Sequence, residues 1–159
     1  PCCAPVAVMM KIFLSSDHAG HALRARVARH LAERQLPFED CGPADLAARV
    51  DYPDEAGKVA QLVRQSPEAR GILICGSGLG MAIAANKVPG IRAADAWNRD
   101  VARLSREHND ANVLCLGARF LPEDEALGII DVWLSTGFDG GRHAERVAKI
   151  SALEAKGSS

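Results

Sequence analysis

Cys75 ends an apolar run and is followed by three glycines in five positions, Gly76, Gly78 and Gly80, in the stretch ILICGSGLGMAIAANK from Ile72 to Lys87. A thiol beside backbone N–H groups and a helix N-terminus has its thiolate form favoured, which suits a base or a nucleophile. The amides from Gly76 to Gly80 could also point at one oxygen and hold the negative charge that develops on it. A buried cysteine at a strand end equally behaves as a small hydrophobe, so packing stands beside chemistry for Cys75. Cys115, inside a later apolar run, carries the packing reading alone.

Two nucleotide readings of this loop fail. The dinucleotide fingerprint needs a third small residue for close helix packing, and Met81 occupies that place. It also belongs after the first strand rather than the third, although Asp95 supplies an acid at about the right distance. No G-x-x-x-x-G-K-[ST] run exists, which excludes a P-loop.

Three more stretches carry chemistry. SSDHAG sets Asp17 beside His18 before a helix, a pair able to bind hydroxyls and an anion, although Asp17 could be only an N-cap. LSREHNDANVLCLGAR places His108 and Asn109 before the last apolar run and Arg119 after it. A histidine in a polar turn is an acid or base only when other groups converge on it. GGRHAERV puts Arg142 and Arg146 four apart on one helical face. That spacing fits a phosphate clamp as well as a solvated basic face.

The elements that position these residues follow from periodicity. Strands are expected over 11–15, 37–41, 71–75, 91–95 and 113–117, and helices over 21–35, 54–65, 78–88, 99–107, 122–136 and 142–156. The alternation predicts an α/β, Rossmann-like three-layer sandwich: a five-stranded parallel sheet with helices on both faces. Ligands then lie at the carboxyl ends of the strands.

The chain has 159 residues, 48% apolar and 25% charged, which suits a single domain, expected over 11–156 after a loose leader over 1–10. A formal charge of −1 provides no field for nucleic acid or anionic lipid, so any anion site is local. No apolar run reaches membrane-spanning length. Five cysteines without paired spacing point to reduced thiols and a cytoplasmic protein.

Together, SSDHAG, DYPD, GILICGSGLGMAIAANKVPGIRAA, LSREHNDANVLCLGAR and GGRHAERVAKIS resemble the ribose-5-phosphate isomerase B family, which includes the galactose-6-phosphate isomerase subunits. The likeness spans Lys11 to about Leu153, with the motifs in order. It implies an aldose-ketose isomerase that needs no metal or cofactor and works on a sugar phosphate as a homodimer or a dimer of dimers, with the active site between subunits. By the same resemblance Cys75 is the base, because the glutamate that replaces it in other members would stand where Met81 stands. The loop of Gly76, Gly78 and Gly80 becomes the enediolate cradle, with Ser77 as hydroxyl partner. His108 opens the sugar ring, Asp17 and Asn109 bind hydroxyls, and His18, Arg142 and Arg146 hold phosphate with help from Arg119. Ribose 5-phosphate and ribulose 5-phosphate are the default pair.

The chain departs from the resemblance at ADAWNRD, where Asp95 and Trp97 stand out. Four-carbon or six-carbon sugar phosphates are therefore alternatives, as is a non-catalytic sugar-phosphate or nucleotide-binding module.

Overall fold

A computed structural model describes residues 9–157. Most of the expected leader, with Cys2 and Cys3, lies outside the described residues. Met10, inside the stretch expected to be a loose leader, packs against the core.

The elements run β1 (Ile12–Ser16), a 3-10 turn (His18–Gly20), α1 (His21–Glu33), β2 (Phe38–Asp40), α2 (Tyr52–Val63), β3 (Arg70–Cys75), α3 (Leu79–Ala85), β4 (Ala93–Asp95), α4 (Arg99–Asn109), β5 (Val113–Gly117), α5 (Glu123–Ser135) and α6 (Arg142–Lys156). All five strands are parallel, in the order β2-β1-β3-β5-β4. The expected three-layer α/β sandwich is therefore the fold.

Side-chain alternation along the strands builds two cores. On one face Ile12, Leu14, Ile72, Ile74, Leu114 and Leu116 meet Val27, Leu31, Ile129, Ile130 and Trp133 from α1 and α5. On the other, Phe13, Leu73, Cys75, Val113 and Cys115 meet Val59, Val63, Met81 and Ala85 from α2 and α3. Cys75 thus belongs to the α2/α3 face.

Helix ends shift from the expected ones for identifiable reasons. The α3 helix is shorter at both ends. It begins only after left-handed Gly78, and beyond Ala85 the Asn86 side chain turns aside to pair with both backbone groups of Ala93, at 2.8 and 2.9 Å. Conversely, α4 is longer, because it continues through His108 and Asn109 and stops at Asp110, whose φ is 46°. His108 therefore sits in the last turn of a helix and not in a polar turn. Of α6, His143 alone is buried, while Ile150 and Leu153 are 42% and 65% exposed. No helix among the described residues is long and apolar enough to cross a membrane.

Candidate active site

The chain leaves β1 toward β2 on one side and β3 toward β4 on the other, so the carboxyl ends of β1 and β3 form a topological switch point. Asp17 and Cys75 stand at those two ends. Asp17 is buried; its amide donates to the Ile74 carbonyl at 3.1 Å, and its Oδ1 accepts from the amides of Ala19 and Gly20 at 2.9 and 3.0 Å. The capping reading of Asp17 thus holds, and the cap places the carboxyl beside the end of β3. His18 is exposed at the rim.

Beyond β3 the chain turns through Gly78 at φ 83°, and the Gly78 amide donates to Cys75 Sγ at 3.1 Å. The Leu79 amide donates to Ser77 Oγ at 3.3 Å, leaving that hydroxyl's hydrogen to donate elsewhere. Of the amides from Gly76 to Gly80 expected to face one external oxygen, those of Gly78 and Leu79 are turned onto side chains of their own loop. One of those side chains is the sulfur itself, which accepts the Gly78 N–H.

Three neighbours pack tightly on this loop. The Arg119 guanidinium lies over Gly76, where an added Cβ would come within 3.0 Å of it, and the Arg119 amide donates to the Gly76 carbonyl at 3.0 Å. The Tyr52 ring rests on Gly80, where a Cβ would meet it at 2.7 Å. Glu55 holds that end of α2 in place by accepting from Ser15 Oγ at 2.5 Å and from Lys58 Nζ at 2.9 Å. The Asp95 carboxyl occupies the space a side chain at Gly78 would need, and it shares a small cavity with Ser77, Trp97 and Phe120. Burial raises the Asp95 carboxyl above the usual carboxylate range. Burial also raises the thiol of Cys115 well above the usual range, with the charges of Asp95 and Cys75 adding to the effect. Cys115 stays a packed thiol, as the sequence suggests.

The remaining candidates lie elsewhere. His108 and Asn109 end α4 next to the amino end of β5, whereas Cys75 pairs with Gly117 at its carboxyl end. Four strand steps of about 3.3 Å separate those ends, roughly 13 Å. Arg142 and Arg146 stay with His108: the Asp139 amide donates to the Glu107 carbonyl at 3.0 Å, and His143 of α6 stacks on His108 with ring centroids 4.2 Å apart. One chain thus holds the candidates in two separate groups. Asp17, His18, Cys75, the glycine loop, Ser77 and Arg119 form one; His108, Asn109, Arg142 and Arg146 form the other. Tyr52 and His143 were not singled out in the sequence, although DYPD and GGRHAERV contain them, because only tertiary contacts show what each touches.

Among the described residues, His108, Asp139 and His143 bring three possible metal-binding atoms within 4.8 Å of one another. Arg142 and Arg146 flank them and the two rings lie parallel instead of converging, so the surroundings suit an anion better than a cation. A cavity of about 790 Å³ lies between α6, β4 and the end of α3; Asn109 lines it, but neither Cys75 nor His108 does.

A family model described as Ribose/Galactose Isomerase matches residues 12–150, with both groups of candidates inside the match. The chain belongs to this isomerase family. Ribose-5-phosphate isomerase B of Escherichia coli is 44% identical, over 92% of this chain and 97% of its own. Among solved structures, the Clostridium thermocellum ribose-5-phosphate isomerase B superposes with a TM-score of 0.89 at 52% identity, covering 92% of this chain and 99% of that one. The Mycoplasma genitalium ribose-5-phosphate isomerase B with bound ribulose 5-phosphate gives 0.89 at 44% identity, covering 92% and 97%. The chain is an aldose-ketose isomerase of the ribose/galactose isomerase family, and the reading as a non-catalytic module falls.

Proposed function

We propose that this isomerase interconverts ribose 5-phosphate and ribulose 5-phosphate at a site completed by a second copy of the chain. The observation that carries the proposal is the Cys75 sulfur, held at the switch point by the Gly78 amide and facing the loop that would cradle an enediolate. His108 of the second copy gives a proton to the ring oxygen, and the C1–O bond breaks to free the aldehyde. The Cys75 thiolate removes the C2 proton, negative charge spreads to O1, and the loop with Ser77 holds it. The same thiol returns the proton to C1 while the O2 proton moves to O1, leaving a ketone at C2. Arg142 and Arg146 of the second copy, with His18 and Arg119, hold the phosphate and orient the chain.

Two features support the shared site. The half-sites stand at opposite ends of the sheet, and α6 buries one residue while exposing Ile150 and Leu153, as a helix does when a partner covers it. A homodimer, or a dimer of dimers, closes the geometry. Three free thiols among the described cysteines accord with a cytoplasmic setting.

Complementation tests the sharing. Cys75→Ala and His108→Ala are each inactive, but mixed one to one and allowed to exchange subunits they recover about a quarter of wild-type activity, because a symmetric heterodimer has one site with both lesions and one with neither. No recovery, with exchange verified by mass spectrometry, counts against a shared site.

A second reading concerns chain length. Asp95 and Trp97 border the cavity beside Ser77, where a sugar of different length would meet them. Comparing kcat/KM across aldose phosphates of four, five and six carbons decides it. Ribose 5-phosphate is expected to rank first, and a higher value for a tetrose or hexose phosphate moves the assignment to that substrate.

A further inference from the structure

We propose that His143 is a positioning residue for ring opening: its ring, stacked face to face on His108, holds that imidazole in the one orientation from which it serves the second copy's site. The inference rests on the assignment of His108 as the ring-opening acid.

The rings are nearly parallel, at 8°, with centroids 4.2 Å apart. His143 is buried while His108 is half-buried, so the inner ring backs the outer one. The segment between them is fixed at two points. The Asp139 amide is bonded to the Glu107 carbonyl one residue before His108, and Gly140 and Gly141, at φ 66° and 53°, turn the chain directly into α6. The His143 amide donates back to the Gly140 carbonyl at 3.0 Å, which seats the histidine at the first turn.

Charged groups surround the pair on every side. His108 faces His143 from α4, Asp139 from the connecting segment, and Arg142 and Arg146 from α6 itself. Burial first, then His108, Arg142 and Arg146, lower the His143 imidazole below its usual range, with Asp139 opposing. That direction favours the uncharged form of the His143 ring, so the face stacked on His108 repels a charge there less than a protonated ring would. In the step itself the C1–O bond breaks as the ring oxygen takes the His108 proton, the O1 hydroxyl loses its proton to water as C1=O1 forms, and water reprotonates His108.

The test compares His143→Ala, which removes the face, with His143→Phe, which keeps the face and removes the titratable nitrogens. His143→Ala is expected to lower kcat/KM for ribose 5-phosphate by up to roughly 10²-fold, the scale of a misplaced catalytic group. It should also move the acid limb of the pH profile and the NMR titration of the His108 side chain. His143→Phe should restore most of the rate and give His108 one well-defined orientation by NMR. Thermal melts check that both variants fold, and His143→Gln replaces the alanine variant if it does not. An unmoved His108 titration and pH limb in the alanine or glutamine variant overturns the inference, as does a phenylalanine variant no better than alanine. Full turnover in His108→Ala instead removes the ring-opening assignment, a failure distinguishable because the NMR titration reads the stack without turnover.

Discussion

Cys75→Ala is expected to lower kcat for ribose 5-phosphate by roughly 10²–10⁴-fold, the usual contribution of a positioned proton-transfer group, while KM changes little. The residues proposed to hold the phosphate are untouched, so ground-state binding survives and the loss lies in the proton transfer from C2. Cys75→Ser is expected to fall nearly as far, because a hydroxyl is a far weaker base than a thiolate. Cys115→Ala is the matched control. Its side chain is fully buried on the same face of the sheet, one strand over, and its thiol is held protonated. Removing it should lower the urea midpoint and leave kcat in place. The packing reading of Cys75 predicts that the two variants behave alike. Unchanged turnover of Cys75→Ala on every tetrose, pentose and hexose phosphate would remove Cys75 as the base.

Much of this architecture was legible from periodicity. Strand β5 and helix α6 lie where the pattern places them, because Val113–Gly117 is a continuous apolar run buried on both faces and Arg142 follows a glycine pair. The end of α4 was not legible, since Glu107 to Asp110 reads as a polar breaker. Helix persists there because Arg106 reaches forward to Asp110 Oδ1 at 2.9 Å, and Asp110 itself takes the left-handed conformation that ends it. That local difference matters, since it fixes His108 at the far end of the sheet from Cys75. Expecting ligands only at the carboxyl ends of strands describes one half-site. The other half stands at the amino ends, and within one chain no local pattern joins them. The contact between Asp95 and Gly78 was hidden for a different reason. Strand β5 inserts between β3 and β4, and a strand order of that kind arises from long-range pairing that short windows of sequence do not encode.

Gly78→Ala is expected to lower kcat by roughly 10²-fold, the scale of a misplaced catalytic group, and stability by about 1–3 kcal/mol. Three features act at that residue. Its φ of 83° is strained for any L side chain. A Cβ would collide with Asp95 Oδ1 and reach the Gly117 amide at 3.2 Å. Its own N–H is bonded to the Cys75 sulfur, so any shift that relieves the collision moves that donor off the sulfur. Steric and conformational parts separate in a double-mutant cycle with Asp95→Ala, which clears the space but leaves φ unchanged. The coupling should be favourable, on the order of 0.5–3 kcal/mol for groups in contact, with the stability loss partly recovered in the double variant. Activity should return only as far as the amide regains the sulfur. A Gly78→Ala protein that melts earlier yet turns over ribose 5-phosphate at the wild-type rate would show that the turn serves the fold alone, and the Gly78 N–H would lose its place in the chemistry.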